Sequence, residues 1–115
     1  MDGKTDICIK NNLGENLLIA ECKIWHGKEH FLRSIDQLLS YLTWRDVYIS
    51  LIVFVESRDF SLAIHSAKKA VEEHPNFIQH RSSERGNVLS CVIRHPRNEA
   101  ISINPEIMFF HFPKK

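Results

Sequence analysis

A single α/β domain on a mixed sheet is predicted by three features of the chain. A short strand and a longer one, divided by turn-forming residues, open it. Two amphipathic helical stripes follow, and between them lies YISLIVFV, a run too apolar to face water on either side. Strands and helices alternating in this way bury their apolar faces against each other. With 115 residues, 43% of them hydrophobic, the chain can build one core, so residues 1–115 read as one domain.

Asp6 to Ile9 alternates polar and apolar residues, and Asn11, Asn12, Leu13, Gly14, Glu15 and Asn16 supply turn chemistry. An antiparallel hairpin is therefore expected, with Leu17 to Trp25 as its return strand. From Lys28 to Thr43 the apolar residues Phe31, Ile35, Leu38, Leu39 and Leu42 recur at helical spacing, and this helix should pack on the hairpin. Val47 to Val55 reads as the core strand. Asp59 is placed to cap a second helix whose buried stripe is Phe60, Ala63, Ile64, Ala67 and Val71, and Pro75 stops it. Further on, residues 81–87 read as a polar loop and Val88 to Arg94 as a strand. His95 to Ala100 reads as a turn-rich break, and Ile107 to Phe112 as a last strand. The hairpin and YISLIVFV are expected at the middle of the sheet, with the two helices covering it.

Composition narrows the function little. A formal charge of +1 neither announces nor excludes a nucleic-acid binder, because a local basic groove can sit on a neutral molecule. Cys8, Cys22 and Cys91 are odd in number and lack paired spacing, which suits reduced thiols and a cytoplasmic location. The longest apolar run, around Ile49 to Val55, is too short to cross a bilayer, so no membrane partner is expected. Asp6 lies five residues from Met1, which leaves nothing to cover the outer edge of the hairpin. The chain is thus expected to be a piece of a longer protein, or to have that edge covered in a homodimer or by an N-terminal partner region.

Three charged residues stand out in apolar strands: Asp6, Glu21 and Lys23. Side chains alternate across a strand, so Glu21 and Lys23 share a face with Leu17, Ile19 and Trp25, while Ala20, Cys22 and Ile24 take the other. With the turn near Leu13 and Gly14, Asp6 falls opposite Glu21 and points the same way. Two converging carboxylates repel, which makes a hard, oxygen-preferring ion such as Mg²⁺ or Mn²⁺ their natural occupant. Lys23 beside it could steer or deprotonate an attacking water, or neutralise charge growing on a phosphate. Gln37 and Tyr41, four apart, stack on one flank of the first helix, placed to hold a phosphate or a water.

The simpler alternative is an exposed hairpin face with a cross-strand ion pair of small energetic value; the apolar residues on that face argue for burial instead. Cys22, His26 and His30 have spacings zinc could accept, but Cys22 is expected on the face away from Lys23 and no fourth ligand is evident. His26 and His30 read as rim residues of the site or as solvated. Trp44 and Arg45 either close the core or meet a base and a phosphate.

The succession Asp6, then Glu21-Cys22-Lys23, then Gln37-x-x-x-Tyr41 resembles the D, ExK and QxxxY series of the PD-(D/E)XK nuclease superfamily in its RecB-like form. Thr5 stands where the motif name places Pro. The resemblance covers roughly residues 4–56. It implies a restriction-endonuclease-like fold, a mixed central sheet flanked by helices, here without the helix and strand that usually precede the first acid. It also implies that Asp6, Glu21 and the backbone carbonyl of Cys22 bind Mg²⁺ (or Mn²⁺). Lys23 would handle the water nucleophile, and Gln37 with Tyr41 would orient the site or the DNA backbone. The implied function is metal-dependent hydrolysis of DNA phosphodiesters in restriction, repair or mobile-element defence. The alternative is a nuclease-like fold that has lost its chemistry and serves as a protein-interaction or regulatory module.

Overall fold

A computed structural model describes residues 7–10, 16–42 and 48–113, with side chains from Leu18 onward. The elements run β1 (Ile7–Lys10), β2 (Asn16–Ile24), α1 (Lys28–Ser40), β3 (Tyr48–Val55), α2 (Phe60–Glu72), β4 (Phe77–Arg81), β5 (Val88–His95), β6 (Asn98–Ile103) and β7 (Glu106–His111). Among the described residues they form one mixed sheet in the order β1-β2-β3-β7-β5-β4, with β6 also paired to β5. β2, β3 and β7 are parallel to one another, and β1, β4, β5 and β6 each run antiparallel to a neighbour. The compact α/β architecture with a mixed sheet is as the sequence predicts. The placing of the hairpin is not: β1 lies at the edge of the described sheet, and β3 and β7 hold the centre. The two strands YISLIVFV and EIMFFH occupy the middle, where both strand edges are paired and a face is covered.

Odd-numbered residues of β2, β3 and β7 face the helices. Ile19, Ile49, Leu51, Val53, Val55, Ile107 and Phe109 are all buried there, joined by Leu89, Cys91 and Ile93 from β5. Helix α1 contributes Phe31, Ile35, Leu38 and Leu39, with Leu42 of the same sequence stripe buried just past its end, and α2 contributes Ala63, Ala67, Ala70 and Val71. Burial pushes the Cys91 thiol up to about 11, so it sits in the core as a protonated, unreactive group.

Helix α1 starts at Gly27, whose φ of 94° lies in the left-handed region that only glycine enters without strain. It ends at Ser40, with the Tyr41 amide closing on the Leu38 carbonyl, short of the Thr43 boundary expected from periodicity. Thr43, Trp44 and Arg45 lie outside the described residues. Helix α2 has the expected cap, Asp59 accepting a hydrogen bond from the Leu62 amide at 2.9 Å. Asp59→Ala should therefore lower stability by about 1 kcal/mol, read as a fall in the urea midpoint at unchanged slope.

Two elements escape the sequence pattern. β4 is a half-exposed edge strand in which Ile78 is 41% exposed, and β6 begins at Asn98, inside the stretch expected to be a break. Both are set by pairing with β5: at Ile93 that strand meets Phe77 on one side and Ile103 on the other. Two His-Pro turns stand beside each other at this end. The Asn76 amide donates to His74 Nδ1 at 3.0 Å and the Arg97 amide donates to His95 Nδ1 at 3.1 Å. With Nδ1 accepting, His74 donates through Nε2 to Asp36 Oδ1 at 2.6 Å, which ties the end of α2 to α1.

Candidate functional site

Strand β2 carries the site because it lies between β1 and β3 and runs directly under α1. Its parallel register sets Glu21 beside Leu51 and Lys23 beside Val53, so both charged side chains start from the helix-covered face. Glu21 is 0% exposed. An exposed hairpin face with a weak cross-strand ion pair is thereby excluded for this residue. A carboxylate taken wholly out of water requires a cation, a proton or strong hydrogen-bond donors around it. Lys23, two residues along, is half-buried, and Trp25 packs on the core with its ring 5.5 Å from that of Phe31.

The hairpin register pairs Ile7 with Ala20, Cys8 with Ile19 and Ile9 with Leu18. This is the register that the reading of Asp6 opposite Glu21 requires; Asp6 itself, and the turn at 11–15, lie outside the described residues. The Trp25 amide donates to the Phe54 carbonyl at 2.8 Å. Peptide groups alternate along a strand, so odd residues of β2 turn theirs toward β3, and Cys22 turns its carbonyl to the β1 side. That is the edge on which Asp6 is expected.

A cavity of about 520 Å³ opens between β2 and α1, lined by Cys22, Lys23, Ile24, His26, His30, Arg33, Ser34 and Gln37. Lys23 from β2 and Gln37 from α1 thus line one cavity. Glu21 is buried and Tyr41 packs against the hydrophobic core; neither lines the cavity. Cys22 and Ile24 border it as well. Two features of α1 bring the wall together. His30, Ser34, Gln37 and Tyr41 follow one another at helical spacing along a flank, and the Ser34 hydroxyl is drawn in by donating to the His30 carbonyl at 3.0 Å. Arg33 and Ser34 were not read from the sequence as site residues, and the signal for them is this same flank.

The wall is electropositive. His30 is held below its ordinary pKa, first by burial and then by the nearby charges of His26, Arg33 and Lys23. Its ring stands edge-on to that of His26, with centroids 5.1 Å apart. Among the described residues no group of three His, Cys, Asp or Glu side chains is arranged to hold a metal ion. No helix among them is long and apolar enough to cross a membrane. No family model, curated protein or solved structure matches this chain.

Proposed function

We propose that this chain carries a metal-dependent nuclease site that hydrolyses DNA phosphodiesters on a restriction-endonuclease-like core of hairpin, α1 and β3. The observation that carries the reading is the wholly buried Glu21 on the strand that also sends Lys23 to the wall of an open, electropositive cavity shared with Gln37. Burial of an acid beside a lysine costs stability, and an open cavity with converging polar groups next to such a pair is the usual setting of a binding site.

The donors on β2 are oxygens, the Glu21 carboxylate and the Cys22 carbonyl, and Asp6 would add a third; this set suits Mg²⁺ or Mn²⁺. Such an ion, when bound, supplies Lewis acidity toward a phosphoryl oxygen. The Lys23 ammonium holds positive charge where the phosphate becomes more anionic on the way to products, and it can orient the attacking water through its three donors. The Gln37 amide donates to a phosphate oxygen across the cavity, and Tyr41 behind it stiffens the helix flank. DNA enters from the open side, and the edge at β1 is the place for a second copy or an N-terminal partner region.

A second reading, an inactive nuclease-like fold that acts as an interaction module, draws on one observation. The sheet face away from the helices leaves Ile24 at 41%, Phe110 at 44% and Phe112 at 67% exposure. Calorimetric titration with Mn²⁺ separates the two. The nuclease reading expects saturable heat from the wild-type chain and none from Glu21→Ala; equal heats from both would support the interaction module.

A further inference from the structure

The residues of the cavity wall divide into two groups. Lys23 and Gln37 belong to the series that the nuclease reading uses, whereas His26, His30 and Arg33 do not, and yet they converge on the same opening. Nothing in the chemistry of the ExK series requires two imidazoles and a guanidinium there. Holding them together has a cost, since like charges at close range repel.

Arg33 makes none of the ion pairs found among the described residues, which join Lys28 to Glu73, His74 to Asp36 and His80 to Glu72. None of the described lining residues is acidic. A guanidinium fork, two imidazoles and an amide facing one cavity form an anion-binding set, because every one of them can donate to an oxyanion and the guanidinium can do so twice. The cavity, about 520 Å³, is far larger than a metal ion and its waters need, and has room for a phosphate with the sugar attached.

We propose that His26, His30 and Arg33 form a phosphate subsite that grips a nucleic-acid strand in the cavity they share with Lys23 and Gln37. The inference rests on the nuclease reading for the identity of the strand, while the anion chemistry stands on the cavity alone. Arg33 carries most of the affinity through paired hydrogen bonds, and the imidazoles fix the position of the phosphate.

The test is binding of a short fluorescent DNA duplex to the full chain in EDTA, followed by anisotropy as salt is raised, so that no cleavage or metal is involved. Arg33→Gln should weaken binding about tenfold and reduce the salt slope by about one phosphate contact. Arg85→Gln, an exposed arginine in the loop before β5, should bind as the wild type does. Equal affinity and slope for wild type, Arg33→Gln and Arg85→Gln would overturn the proposal. Duplexes with and without a 5′-phosphate locate the phosphate. A preference for the phosphorylated end that vanishes in Arg33→Gln assigns the subsite to a strand terminus, and an Arg33-dependent affinity indifferent to the end assigns it to an internal phosphate. Glu21→Gln separates the two claims. If it binds normally and the wild type cuts while Arg33→Gln binding is unchanged, the subsite fails and the nuclease stands; if Arg33 governs binding and the wild type never cuts with Mg²⁺ or Mn²⁺, the reverse holds.

Discussion

Glu21→Gln is expected to lower Mg²⁺- or Mn²⁺-dependent cleavage of plasmid DNA by about a thousandfold or more, a loss of the size seen when a transition-state charge loses its partner. The substitution keeps the shape of the side chain and removes only its negative charge, so the strand and its neighbours have no reason to move. Stability is predicted to go the other way. Because a buried carboxylate pays for desolvation, its neutral isostere should leave the urea midpoint unchanged or raise it. Lost cleavage with retained or increased stability is the signature of a residue kept for chemistry. Lys23→Met should show the same loss of cleavage. If Glu21→Gln cuts at the wild-type rate, or if it loses activity only because it unfolds, Glu21 has no part in catalysis.

The largest effect on stability is expected from Phe109→Ala. Phe109 is 0% exposed on β7 in the centre of the sheet, with its ring 6.3 Å from that of Phe31 on α1. Its backbone is held on both sides by Asn87, whose carbonyl accepts from the Phe109 amide at 2.8 Å and whose side-chain amide donates to the Phe109 carbonyl at 3.1 Å. The strand therefore cannot collapse into the space left by the ring. Removing it should cost about 3–5 kcal/mol, a large share of the roughly 5–15 kcal/mol that holds a domain together. Equilibrium urea unfolding followed by circular dichroism measures this directly. A loss below about 1 kcal/mol would mean that the helices and sheet do not share the single core described above.

Much of the helix–sheet skeleton was legible because its periodicities are strong. The α1 stripe, the Asp59 cap and YISLIVFV each follow from local pattern and from chemistry that tertiary context has no reason to override. The central place of β7 beside β3 was not legible, since a short apolar strand is equally at home at the middle or the edge of a sheet until its partners are known. β4 and β6 were illegible for a related reason, as FIQHR and NEAISI owe their extended form to the two edges of β5 rather than to alternation of their own. In the site, Glu21 and Lys23 could be picked out by their cost in an apolar strand. Arg33 could not, because an arginine on a helix flank looks solvated until the opposite wall, formed by β2, is known.

The most direct test of the central claim is a crystal structure of the full chain soaked with Mn²⁺, read by the anomalous signal of the metal. The account predicts one peak or more at the β1 side of β2, with carboxylate oxygens of Asp6 and Glu21 and the Cys22 carbonyl as ligands and the Lys23 amine close by. A Glu21 carboxylate enclosed by aliphatic side chains, with no metal peak beside it and Asp6 turned to the other face of the sheet, would contradict it.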